Sequence, residues 1–199
     1  MMILTGKQIA KERELRRIII DPWYPDHINP ASMDLTLGNK VLIWRDPKRV
    51  TDDGYECDQG IRRVVDVKKP DSFTYEEHTI GPDGFDISPG TVYLMHTVEV
   101  VRTDCFVPVL DGKSSIGRLG VLIHMTAGFG DPGFRGQYTL EVASLGRPIR
   151  VYAGMRFCQI RFHTLIGETT NYQRCGHYVG DLAKGPCASQ VWKQFGYKA

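Results

Sequence analysis

The sequence predicts a mainly β chain, a sandwich or barrel of jelly-roll type, with one short helix at its amino end. Three observations carry that reading. From Phe73 onward, runs rich in β-branched and aromatic residues recur about every ten residues. Turn signals separate them, among them Pro82-Asp83-Gly84 and Ser88-Pro89-Gly90. Strands do not alternate with long amphipathic helices, which sets aside a parallel βαβ sheet.

Taken in order, Thr5 and Gln8 have the spacing of a helix-capping box, and residues 6–15 carry good helix formers, so a peripheral helix is expected there. Pro22, Pro25 and Pro30 then break regular structure. Met33 to Trp44 reads as a strand interrupted by a turn at Gly38-Asn39. Residues 45–72 are the most polar part, with Gly54 and Gly60 as breakers, and read as a surface excursion or hairpin. Thr91 to Arg102 is a strong β run. Cys105 to Leu110, Gly120 to Thr126, Gln137 to Ser144, Pro148 to Val151 and Arg156 to His163 continue the pattern. Behind Lys113-Ser114-Ser115, the segment Ile116 to Gly120 reads as a short helix. The carboxyl-terminal stretch mixes Tyr, Gly, Lys and Cys with weak β signals, as in a tail that folds over something. Residues 1–199 read as a single domain.

Composition narrows the function classes. Hydrophobic content of 42% and charged content of 24% are ordinary for a soluble protein. A formal net charge of +2 is too small to make nucleic acid or an anionic membrane the main partner. No apolar run is long enough to span a bilayer, and the start lacks the apolar centre of a signal peptide. The 5 cysteines form no C-x-x-C pair, and their odd number argues against a complete disulfide framework, so a reducing cytoplasm fits best.

The chemistry concentrates between Asp111 and Val142. Backbone N–H groups at a helix start behind Lys113-Ser114-Ser115, with Lys113 and Arg118 nearby, suit a phosphate group. The loop Ala127-Gly128-Phe129-Gly130-Asp131-Pro132-Gly133-Phe134-Arg135-Gly136 has glycines where backbone must turn sharply or approach a ligand closely. On the strand that follows, Gln137, Thr139 and Glu141 share one face, while Tyr138, Leu140 and Val142 face the core. Glu141 is then either directed at whatever the loop encloses or an ordinary solvated carboxylate. Asp131 is either a second functional acid or a turn residue before Pro132.

Zinc nucleobase deaminases require H-x-E and P-C-x-x-C, for three zinc ligands and a glutamate proton shuttle. Pro186-Cys187 has no second cysteine at the right spacing, and none of the 6 histidines begins H-x-E, so no metal ligand set is assigned. Any hydrolysis then needs a carboxylate to activate water. A serine hydrolase lacks its G-x-S-x-G.

These residues resemble the dCTP deaminases, trimeric relatives of the dUTPases with a distorted β-barrel or jelly-roll fold of the dUTPase-like type. The resemblance runs nearly end to end. It rests on Met2 to Gly38 with its Ile28-Asn29-Pro30-Ala31-Ser32-Met33-Asp34-Leu35-Thr36-Leu37-Gly38 run, on residues 84–102, and on Asp111 to Glu141. It implies that Glu141 takes a proton from water and passes one toward the cytosine ring. Ser114 and Arg118 are implied to position that water and stabilise charge as C4 becomes tetrahedral, with the Ala127 carbonyl as a further contact. Asp131 is implied to hold the deoxyribose 3′-hydroxyl. Lys113, Ser114, Ser115, Ile116, Gly117 and Arg118 match the phosphate-binding segment, Thr139 and Leu140 flank the base, and Gln159 and Tyr172 match phosphate-side residues.

The run Ala127-Gly128-Phe129-Gly130-Asp131 is similar to the branch that continues to dUMP and pyrophosphate, where Asp131 also helps activate a second water at the α-phosphorus. The other branch places histidine then arginine where Gly128 and Phe129 stand. Mg²⁺ bound through the nucleotide phosphates, a homotrimer with active sites where subunits meet, and feedback by dTTP are further implications. Two departures stand out. Gly130 replaces a common aliphatic residue, and His177-Tyr178-Val179-Gly180-Asp181, with Lys184 beyond, stands where the family has Lys-Tyr followed by glutamine. Three alternatives share parts of this pattern: a deaminase releasing dUTP only, a plain dUTPase, and a non-catalytic nucleotide-binding trimer.

Overall fold

The computed structural model describes residues 2–44, 49–50, 56–57, 65–179 and 184–196. Helix α1 (Gly6–Glu14) is capped as its spacing predicts, the Thr5 hydroxyl accepting the Gln8 N–H at 3.2 Å. Only that half of a capping box forms, because the Gln8 amide reaches forward to Glu12 Oε1 at 2.7 Å. Arg16, at φ 57°, ends the helix and turns the chain into β1 (Ile18–Asp21), a strand outside the sequence expectations.

The remaining strands follow in chain order: β2 (Met33–Thr36), β3 (Lys40–Trp44), β4 (Arg49–Val50), β5 (Glu56–Cys57), β6 (Tyr75–Thr79), β7 (Phe85–Ile87), β8 (Tyr93–Thr103) and β9 (Phe106–Gly112). After helix α2 (Ser114–Gly117) come β10 (Val121–Leu122), β11 (Arg135–Ser144), β12 (Ile149–Val151) and β13 (Arg156–Thr164), then helix α3 (Tyr172–Cys175). All named pairings are antiparallel. The larger sheet runs β10-β11-β8-β3-β6, and β8 is its spine. One edge of β8 carries β11, and the other is shared by β3 at Tyr93–Leu94 and β1 at Val100–Thr103. A second sheet, β2-β13-β9, faces it, and β7-β12 forms a separate ribbon.

Period-two alternation gives the core its composition. Leu35 of β2, Met95 of β8, Leu140 of β11, and Phe157, Ile160 and Phe162 of β13 are fully buried between the layers. One buried inward residue is an acid. Glu99 accepts the Thr36 N–H at 2.9 Å and the Thr36 hydroxyl at 2.6 Å, which offsets part of the cost of burying a carboxylate. Burial holds the Glu99 carboxyl above its ordinary value, with the Thr36 donors pulling the other way.

Three expectations are corrected. The helix expected from Ile116 opens instead at Ser114, with Lys113 at its N-cap. The strand expected over Gly120 to Thr126 is only β10, because the chain then leaves the sheet toward other partners: the His124 ring meets Leu110 O at 3.2 Å and the Met125 N–H meets Glu141. The tail forms no strand among the described residues; Asn171 caps α3, and a 3₁₀ turn covers Val191–Phe195. Of the 45–72 excursion, β4 and β5 form a hairpin pair, while Gly54 and Gly60 lie outside the described residues, as do Gly180 and Asp181. Among the described residues no helix is long and apolar enough to cross a membrane.

Candidate active site

A cavity of about 390 Å³ opens against the outer face of β11, where Gln137, Thr139 and Glu141 point together. Their neighbours on that strand, Tyr138, Leu140 and Val142, are buried, as alternation requires. Leu94, in register with Glu141 across the β8–β11 pair, forms part of the floor, and Tyr75 of β6 closes the far side. Glu141 Oε2 accepts the Met125 N–H at 3.1 Å, which ties the carboxylate to the turn leading into Ala127.

The glycine loop forms the opposite wall. Gly128 O accepts the Leu110 N–H at 2.7 Å and the Gly130 N–H donates to Pro108 O at 2.8 Å, so the loop is held against β9 by one antiparallel bridge between Phe129 and Val109. Glycine is required at 128: a Cβ there would stand 2.5 Å from His124 Nε2 and 2.8 Å from Leu110 O. At 130 the space is taken by the Tyr138 hydroxyl, 2.8 Å from where a Cβ would be. Tyr138 therefore fills the room that an aliphatic side chain at 130 would use. Ala127, Phe129 and Asp131 all line the cavity, and Phe129 is 62% exposed at its mouth. Phe134 stacks on Tyr138 at 4.9 Å and meets Tyr172 edge-on at 5.9 Å, fixing the loop's far end.

The tail completes the enclosure. The Gly185 N–H donates to Gln137 Oε1 at 3.0 Å, and the Cys187 N–H to Thr139 Oγ1 at 2.9 Å. The Gln190 N–H donates to the Tyr178 hydroxyl at 3.2 Å, and the Tyr178 N–H to the Tyr172 hydroxyl at 3.3 Å. Tyr75 bonds the Ser189 backbone, and its burial pushes the phenol up to about 12. On the same face of β8, in register with Thr139, the buried His96 ring accepts the Lys40 N–H at Nε2 across 3.3 Å while Nδ1 sits 2.9 Å from Thr97 O, and burial pulls the ring below its ordinary value.

The structure thus brings together Ala127, Phe129, Asp131, Thr139, Glu141, Tyr172 and Tyr178 of the residues singled out in the sequence. Leu140 is fully buried, so only its backbone is available to the cavity. His177 lies off the lining, its carbonyl accepting Lys193 Nζ at 3.2 Å. Tyr75, Leu94, Gly185, Cys187 and Ser189 were not anticipated. The tail's mixed composition was the one sequence sign of the last three.

Lys113, Ser114, Ser115, Ile116, Gly117, Arg118 and Gln159 form a second cluster that does not line this cavity. Ser114, Ser115 and Arg118 are exposed, while Ile116 anchors α2 in the core. Lys113 pairs with Asp34 at 2.5 Å, and Gln159 bridges the Ser32 hydroxyl at 2.6 Å and Gly112 O at 2.8 Å. One chain therefore presents an acid-bearing pocket and, apart from it, the exposed side chains of Ser114, Ser115 and Arg118 on and just after α2.

Comparison with known proteins identifies the family. A family model described as dCTP deaminase-like matches residues 3–165. A Clostridium acetobutylicum protein named "dCTP deaminase, dUMP-forming" is 40% identical over 194 residues, covering 98% of this chain and 99% of the relative. A Leptospira biflexa protein of the same name is 38% identical over 194 residues. The crystal structure of 2′-deoxycytidine 5′-triphosphate deaminase from Agrobacterium tumefaciens superposes with a TM-score of 0.60 at 24% identity, a likeness of fold. The match covers 81% of this chain and 47% of that longer one.

Proposed function

The chain belongs to the dCTP deaminase-like family, and we propose that it hydrolyses dCTP at cytosine C4 and carries the product on to dUMP and pyrophosphate. The observation that carries the reading is Glu141: a carboxylate on the cavity-facing side of β11, held by the Met125 N–H, facing the loop that bears Ala127 and Asp131.

In the first step Glu141 takes a proton from water as the oxygen attacks C4, and the ring becomes tetrahedral. The same carboxyl delivers that proton to N3 and then carries the proton of the new C4 hydroxyl to the amine, so that the C–N bond breaks, ammonia leaves and C4 becomes a carbonyl. Ser114 and Arg118 position the water and stabilise the developing charge, and the Ala127 carbonyl holds the water or the amine. Thr139 and the Leu140 backbone flank the base, and Asp131 holds the 3′-hydroxyl. In the second step a water activated with the help of Asp131 attacks the α-phosphorus and pyrophosphate departs. Phe129 and Gly128, where the dUTP-releasing branch carries arginine and histidine, support this continuation.

The phosphate contacts are Lys113 to Arg118, Gln159, Tyr172, His177 and Tyr178. Because the first of these lie apart from the chain's own cavity, a homotrimer in which a neighbour supplies the grip is part of the reading. The exposed apolar side chains Leu119, Leu122 and Leu145 around α2 and β10 support it. Mg²⁺ would be held through the nucleotide phosphates and would supply neutralising charge for the leaving pyrophosphate. A single domain, a cytoplasmic setting, a place in supplying the dTTP precursor and feedback by dTTP complete the proposal. Cys105, Cys158, Cys175 and Cys187, all unpaired thiols, fit a reducing compartment.

The test is incubation with dCTP and Mg²⁺ while ammonia and pyrophosphate are followed together. Equal yields without accumulating dUTP are expected. Accumulation of dUTP without pyrophosphate refutes the second step, and absence of ammonia refutes the first.

A further inference from the structure

We propose that Asp34 is a positioning residue for the phosphate grip: it fixes the Lys113 ammonium before substrate arrives. This deepens the reading above, since it rests on Lys113 being a phosphate contact. Asp34 lies in β2, far from the glycine loop in sequence, and its side chain is only 3% exposed. Oδ2 stands 2.5 Å from Lys113 Nζ and 3.9 Å from Arg156 Nη1, and Oδ1 accepts the Asn29 amide at 2.7 Å.

Lysine is a flexible point charge that loses much rotamer freedom when it grips a ligand. Here the cost falls on folding instead of on binding. The Lys113 side chain is 22% exposed, its stem packed down and its head pinned by a buried acid. The backbone beneath is stitched to the same region. Lys113 O accepts the Ile116 and Gly117 N–H groups at 3.0 and 2.8 Å, and Gly112 O accepts the Gln159 amide, which Ser32 holds from its other end. Asn29, Ser32 and Asp34 thus support the grip at the ammonium and at the main chain. The strand that carries Asp34 is itself fixed at Thr36 by Glu99.

Replacing the acid by its amide keeps the shape and the Asn29 contact but removes the charge that pins Lys113. For Asp34→Asn the KM for dCTP rises about threefold to tenfold, the worth of one pre-fixed long side chain, while kcat for ammonia release stays within about twofold. The decisive readout is a cycle with Lys113→Met. If Asp34 acts through Lys113, Asp34→Asn adds nothing to KM in the Lys113→Met background. Asn29→Ala, which leaves the ion pair but removes the Asp34 side-on partner, gives a smaller rise with the same dependence on Lys113; it serves should Asp34→Asn fail to fold. Tripolyphosphate binding, read by calorimetry, weakens in parallel with KM. An unchanged or lower KM, or effects that multiply in the Lys113→Met background, overturn the proposal. If the unmodified protein releases no ammonia from dCTP, the functional reading fails instead, and the tripolyphosphate cycle still decides the role of Asp34.

Discussion

The Met125 backbone N–H donates to Oε2 of Glu141 across 3.1 Å, joining the outer face of β11 to the turn that begins the glycine loop. That bond orients the carboxylate without using its neighbours on the strand, since Gln137 and Thr139 receive backbone N–H groups of the tail. The three cavity-facing residues of β11 are therefore engaged by two stretches of chain, Glu141 by the turn before the glycine loop and Gln137 and Thr139 by the tail, and all three border one cavity.

Asp131 and Glu141 line the same cavity and, in the proposed mechanism, serve different bonds of the substrate. Asp131→Asn is expected to keep most ammonia release and to lose pyrophosphate release by about 10²-fold or more, the usual worth of a positioned general base. The check is dUTP accumulation in a dCTP digest; parallel loss of both products would merge the two roles.

Gly128→Ala is expected to destabilise the fold by about 1–3 kcal/mol, as overpacking does, because a Cβ meets both the His124 ring and the Leu110 carbonyl. Denaturant midpoints measure it, and activity falls with the displaced loop. A variant as stable and active as the parent would show that the loop can leave β9 at no cost.

Neighbouring positions on β11 should separate stability from tail docking. Leu140→Ala removes a fully buried side chain and is expected to cost about 2–5 kcal/mol. Thr139→Val removes the acceptor of the Cys187 N–H and is expected to change stability little while raising amide exchange at Cys187. Equal destabilisation by both would contradict the assignment of faces.

Glu99 makes stability depend on pH. Its carboxyl is raised above its ordinary value, so between the two values the folded state binds more protons than the unfolded state. Stability from this group is fullest below the ordinary carboxylate value and is lost as pH rises through the raised one. Glu99→Gln removes that slope, so the variant gains relative to the parent as pH climbs from about 4 toward neutrality. Denaturant midpoints at several pH values test it, and a pH-independent offset would show that Glu99 does not titrate in that window.

The parts of the molecule legible in the sequence are those governed by local spacing. Alternation along Gln137 to Val142 placed Glu141 outward and Leu140 inward, and Thr5 marked the start of α1. What escaped depends on partners remote in sequence or on backbone conformations without a residue signature. β1 follows a reversal at Arg16, a residue type that gives no hint of positive φ. The supports of the grip pair Asp34 with Lys113 and Ser32 with Gln159, separations of 79 and 127 residues that no motif encodes. Tyr75 enters the cavity only because β6 pairs with β3 at the sheet's edge.

The most direct measurement is single-turnover ammonia release from dCTP by Glu141→Gln, with dCTP binding measured on the same sample. Release is expected to fall by about 10²–10⁴-fold, the usual worth of a positioned proton-transfer group, with binding within a few-fold of the parent. Ammonia release at the parent's rate would contradict the assignment of Glu141 as the group that activates water.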